Sequence, residues 1–206
     1  MKRSFVIKAN KLKFPKIDAN NLILSTLLLC GIILGVSLVA NLSESNVNSF
    51  EAIIKNLVFQ NQEGSAVFCF CYLFFIMISF IALSYFCGLS VFGISILYML
   101  PVVFGFVFSI FISTFYKLSG FKGLGVSTLI FVPYIAITAT SLIKCCGESI
   151  KESFELFIYS VNQSKIKSQN NLKTYTLKYL ILIVPIILSA MLCTLSFKLF
   201  SDLFGF

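Results

Sequence analysis

The chain contains no histidine and no tryptophan, and only eight of its 206 residues are acidic. Without histidine it lacks the commonest general base and the commonest metal ligand. Charged residues make up 12% of the chain, too few to cover the surface of a soluble domain of this size. From Gly64 to Tyr116, a stretch of 53 residues, no side chain is charged. One membrane crossing takes about 20 apolar residues, so that stretch must turn within itself. The seven cysteines, at 30, 69, 71, 87, 145, 146 and 193, include no CxxC spacing. They read as small residues compatible with a membrane interior. There is no phosphate loop of the GxxxxGK-S/T type. Ser79, Ser84, Ser109 and Ser113 lie in apolar runs without a histidine or carboxylate to activate them, so they are expected to bond back to helix carbonyls. No catalytic residue, metal site or cofactor is expected.

What is present is apolar: 58% of residues are hydrophobic and the mean hydropathy is +0.97. Repeated long apolar runs predict an all-α fold, a polytopic membrane bundle forming one integral domain over residues 1–206. Five spans are expected, at about 22–40, 66–86, 89–115, 126–143 and 179–200. Residues 1–21 form a basic arm ahead of the first span, which reads as an uncleaved anchor. Pro101, Pro133 and Pro185 are expected to kink the third, fourth and fifth spans. Gly88 and Gly93 mark the turn between spans two and three, and residues 116–125 the connection between spans three and four.

The basic residues set an expected direction. Lys2, Arg3, Lys8, Lys11, Lys13 and Lys16 precede span one, and Lys144, Lys151, Lys165, Lys167, Lys173 and Lys178 lie between spans four and five. Only Lys55, Lys117, Lys122 and Lys198 fall on the other side. The positive-inside rule then places the N-terminus in the cytoplasm and the C-terminus outside. The net charge of +8 is a topology signal and an attraction to anionic membrane lipid, with no nucleic acid implied.

Two connecting segments carry amphipathic, helical patterning. In the first, Phe50, Ile53, Ile54 and Leu57 share one face. That face could rest on lipid or meet a protein partner. In the second, Ile150, Phe154, Phe157, Ile158 and Val161 share a face, with Lys151 and Glu155 one turn apart. Residues 162–174 read as an exposed linker. Within span one, Gly31 and Gly35 form a small-xxx-small pair that permits a close helix contact, inside the bundle or with another chain.

Taken in order, "GIILGVSLVAN", "CGLSVFG" and "GFVFSIFISTFYKLSGFKG" followed by "STLIFVPY" resemble the landmarks of the stage II sporulation protein M family. The resemblance covers roughly residues 20–200. It includes the Gly-x-Ser-x-x-Gly turn at Gly88, Ser90 and Gly93, then Gly120 and Gly123, and Pro133. Many relatives outside the sporulation branch carry a histidine after that proline and a glutamate beyond it. Here Tyr134 follows and no acid does. The resemblance implies a non-catalytic protein of the cell membrane, in the mother-cell membrane that engulfs the forespore. There it would anchor two peptidoglycan-cleaving partners, the stage II sporulation proteins D and P. A small-molecule or lipid transporter component is the alternative, which a carboxylate or histidine at membrane depth would favour.

Overall fold

A computed structural model describes residues 17–42, 66–162 and 168–204. The described residues are helical apart from short turns. Helix α1 is Ile17–Asn41 and α2 is Ala66–Gly88. The run Gly93–Asn162 is broken once, at Gly120, which gives two helices, α3 over 93–119 and α4 over 121–162. Helix α5 is Ser168–Phe204. Among the described residues, three stretches are long and apolar enough to cross a membrane, Ala19–Asn41, Gly93–Lys117 and Lys173–Ser196, and Phe74–Gly88 is a shorter apolar stretch. At 1.5 Å per residue, the 23 residues of α2 extend about 34 Å, also enough for a bilayer core.

The α1 face that packs inward carries Leu24, Leu28, Gly31, Gly35 and Val39, spaced three or four residues apart. It lies against α3. A methyl group on Gly31 would run into the Val102 backbone, with its α-carbon at 3.0 Å. One on Gly35 would meet the Phe106 carbonyl at 2.7 Å, and one on Gly105 the Leu28 carbonyl at 2.5 Å. Both helices therefore supply glycine, and their backbones touch. The pairs Gly31 with Val102, Gly35 with Phe106 and Val39 with Lys117 rise together along both helices, so α1 and α3 run parallel. At the far end the Lys117 ammonium donates to the carbonyls of Val39 (3.2 Å) and Leu42 (2.6 Å). These carbonyls are freed where α1 stops, and a cation there also suits the helix dipole. Asn41 bonds back to the Ser37 carbonyl at 2.9 Å.

Aromatic rings hold α3 against α4. Phe111 and Phe131 meet edge to face at 5.0 Å, and Phe108 lies 6.2 Å from Tyr134. The α5 helix buries Tyr175, Tyr179, Ile186, Ala190 and Cys193, and exposes Leu180, Ile181, Val184 and Leu188. In water such a surface would aggregate; in a bilayer it faces acyl chains.

Several expectations need correction. The predicted connection at 116–125 shrinks to one non-helical residue, Gly120, because φ 58°, ψ −137° is open to glycine and strained for other residues. Pro101 and Pro133 lie inside that same helical run and Pro185 inside α5, and the non-helical residue of the run is Gly120. The described part of the predicted linker at 162–174 is helix, since α4 runs to Asn162 and α5 starts at Ser168. The second amphipathic segment is a continuation of α4, and its buried stripe runs through Ser149, Ile150 and Ser153 while Phe157 is exposed. The segment with Phe50, Ile53, Ile54 and Leu57 lies outside the described residues.

The glycine contacts predict opposite results at two positions. Gly35→Ala should lower the melting temperature of the purified protein, because its methyl group meets backbone and overpacking costs about 1–3 kcal/mol. Gly125→Ala, in an α4 position with nothing within 4 Å, should raise it by the helix propensity gained, about 0.5–1 kcal/mol. Thermal unfolding in one detergent compares the two. Equal shifts would contradict the close approach of α1 and α3.

Candidate functional site

Four pieces of chain converge at one end of the bundle: the start of α1, the turn 89–92, residues 144–153 of α4 and residues 175–179 of α5. The turn is short. Leu89 N–H donates to Phe86, Ser90 N–H to Cys87 and Gly93 N–H to Ser90, at 3.1–3.2 Å. Gly88 and Gly93 serve close approach here and not a left-handed backbone; among the described glycines only Gly120 has a positive φ. A methyl group on Gly88 would lie 2.9 Å from the Ser149 β-carbon and strike the Tyr175 hydroxyl. One on Gly93 would strike the Cys87 carbonyl. The Ser90 carbonyl also accepts the Ser153 hydroxyl at 2.6 Å, which ties the turn to α4.

Behind the turn lies a network of hydroxyls. Tyr179 donates to the Cys145 carbonyl at 3.1 Å, lies 3.0 Å from Ser84 Oγ and also meets Ser149 Oγ. Tyr175 donates to the Tyr85 carbonyl at 3.2 Å and lies 3.0 Å from Ser149 Oγ. Tyr85 and Thr176 hydroxyls meet at 3.1 Å. The Tyr85 and Tyr175 rings stack at 5.1 Å, and Tyr179 packs edge-on against both. Three helices, α2, α4 and α5, are thereby joined. Among the described residues, no buried side-chain polar atom lacks a hydrogen-bond partner. Hydroxyls engaged this way join the helices as interhelical bonds.

Beside the network, Glu148 sits between two lysines. Lys178 of α5 reaches it at 2.5 Å, and Lys151, one turn along α4, bonds its other oxygen. Burial alone would raise the pKa of this carboxyl. Hydrogen bonds and charge from Lys151 and Lys178 outweigh burial and hold it below its ordinary value of 4.5. Neighbouring Glu152 is pushed upward, by burial first and then by Glu155. Gly147 admits the start of α1, since a methyl group there would meet Asn21 Oδ1 at 2.7 Å. Asn21, Lys144, Glu148, Lys151, Lys178, Ile181 and Leu182 line a cavity of about 260 Å³.

The positions singled out from sequence are spread through the fold. Gly31 and Gly35 lie at the α1–α3 contact, Gly88, Ser90 and Gly93 at the turn, and Gly120 at the helix break at the opposite end. Gly123 falls in the first turn of α4, and Pro133 is exposed on α4 beside the buried Tyr134. The structure thus brings only Gly88, Ser90 and Gly93 into the convergent end. Ser79, Ser84 and Ser109 bond to the carbonyls of Phe75, Ile81 and Phe106. Sequence reading missed Ser149, Tyr175 and Tyr179, and the ion pair of Glu148 with Lys178. The spacing of Tyr175 and Tyr179, one turn apart beside Lys178, was a usable signal.

Apolar helices joined by glycine contacts and buried hydroxyl bonds, with charges gathered at the ends, define a polytopic helical membrane protein. Residues 24–193 match the family model of stage II sporulation protein M, and the chain belongs to that family. No curated protein and no solved structure gives a match.

The Glu148 geometry fixes a pH dependence. A carboxyl with a depressed folded pKa contributes stability that is complete above about pH 4.5 and lost as the pH falls through the folded value. The melting temperature of Glu148→Gln should therefore fall less than that of the parent on acidification from pH 6 to pH 3. Parallel acid curves would contradict the pairing.

Proposed function

We propose that this protein is a non-catalytic membrane scaffold that holds peptidoglycan-cleaving partners, the stage II sporulation proteins D and P, at the membrane that engulfs the forespore. The observation that carries this reading is the use made of the interior polar groups. Ser84, Ser149, Tyr175 and Tyr179 are bonded to one another and to backbone, joining three helices. A transporter of charged or polar solutes places ionisable groups along a path at membrane depth. Here the described acids that form ion pairs sit at the end of the bundle. Family membership supports the sporulation assignment.

The proposed direction is N-terminus inside and C-terminus outside. The convergent end carries Lys144, Lys151 and Lys178, and the six basic residues of the N-terminal arm precede the α1 end that reaches it. Lys117 lies at the opposite end. The positive-inside rule makes the convergent end cytoplasmic. Wall-cleaving partners would then meet the protein at its outer face, where the sequence pattern of Phe50, Ile53, Ile54 and Leu57 suits an apolar contact, or within the bilayer.

Two measurements test this reading. Deletion of the gene should arrest sporulating cells before membrane migration, seen with a membrane dye, and Ile53→Ser with Leu57→Ser should leave a membrane-inserted protein that no longer co-purifies with the hydrolases. Full engulfment in the deletion strain would remove the scaffold reading. For direction, single cysteines introduced at Ser45 and Ser168 of a cysteine-free variant should react oppositely with an impermeant maleimide on protoplasts, position 45 labelled and 168 spared. The reverse pattern would invert the topology.

A further inference from the structure

The cavity at the convergent end has the makings of a ligand site. Three lysines, Lys144, Lys151 and Lys178, and the Asn21 amide surround it, with Glu148 the one acidic lining residue. Glu148 engages Lys151 and Lys178, which leaves two positive charges uncompensated in the lining. Lys144 is exposed and makes no hydrogen bond or ion pair among the described residues. The apolar part of the lining is Ile181 and Leu182. From Ile181 an exposed track continues along α5 through Val184 and Leu188, toward the middle of the apolar stretch Lys173–Ser196. A cationic pocket at the end of a span, opening onto an apolar track down that span, matches the two halves of a phospholipid.

We propose that this cavity binds the phosphate of an anionic phospholipid, with the acyl chains lying along Ile181, Val184 and Leu188. Lysine recognises phosphate as a point charge, and Asn21 can add a hydrogen bond to a phosphate or glycerol oxygen. Basic pockets between membrane helices on the cytoplasmic side bind anionic headgroups for this reason. Glu148 has a double part: it aligns Lys151 and Lys178 and lowers the local positive potential. The site is independent of the hydrolase-anchoring role and stands whether or not that role does.

The test uses the full-length protein in detergent, with dioleoyl phosphatidylglycerol or dioleoyl phosphatidylcholine titrated in and bound lipid counted by native mass spectrometry. The parent should bind phosphatidylglycerol in preference to phosphatidylcholine. Lys144→Gln should weaken phosphatidylglycerol binding by about fivefold, the effect of one lysine near an anionic surface, with an unchanged melting temperature. Glu148→Gln should strengthen it, an outcome that a purely structural part for Glu148 does not produce. Equal binding of the two lipids, or an unchanged Lys144→Gln, would overturn the proposal. Inorganic phosphate that displaces the lipid at comparable concentration would assign the pocket to a soluble phosphate and overturn the lipid assignment.

Discussion

The bundle depends on two helices touching through their backbones. Lipid supplies no hydrophobic force between apolar helices, so association rests on close packing and interhelical bonds. Gly31, Gly35 and Gly105 strip the α1–α3 contact to hydrogen atoms, and the carbonyls of Leu28, Val102 and Phe106 occupy the space that side chains would need. Dispersion attraction is short-ranged, so this approach is worth more than any larger side chain held a few ångströms further away. It also fixes direction. With α1 and α3 parallel, α2 must return between them in sequence, and the turn 89–92 must lie at the end where α1 begins.

That placement explains the concentration of polar chemistry at one end. The turn 89–92 has backbone groups that its own short loop leaves open, and Ser153 closes one of them on the Ser90 carbonyl. Tyr175 and Tyr179 then bridge α2 to α4 through Ser84 and Ser149. Near the start of α5, Lys178 meets Glu148 and Lys151 of α4, and these charges gather at the same end. The opposite end is organised differently. It has a glycine break at Gly120, an aromatic ladder from Phe111 to Phe131, and one lysine on the end of α1. The two ends are thus chemically distinct.

The sequence showed the class of fold and the order of its helices, because runs of apolar residues between charged stretches are a strong and local signal. It also pointed to glycines at close contacts. It did not show which helix Gly31 and Gly35 would face, since a one-turn spacing of small residues has no address. The 116–125 connection was overestimated because Lys117 and Lys122 look like loop residues, whereas Lys117 reaches along α3 to the end of α1. The 162–174 segment was misread for a similar reason: polar residues in a helix that extends past the membrane resemble a linker. The hydroxyl network was invisible because Ser84, Ser149 and Tyr179 are 30 or more residues apart, and only tertiary packing brings them together.

The parallel pairing of α1 and α3 is the claim on which both ends rest, and a distance measures it directly. Spin labels at Leu42 and Lys117, in a cysteine-free background, can be read by double electron–electron resonance in lipid nanodiscs. Parallel helices put the two backbones side by side, and a distribution centred below about 20 Å is predicted once the label arms are included. Antiparallel helices would separate the same positions by the length of α3 from Gly93 to Lys117, about 36 Å at 1.5 Å per residue. A distribution centred there would contradict the arrangement, and with it the gathering of the turn, the hydroxyl network and the lysines at one end.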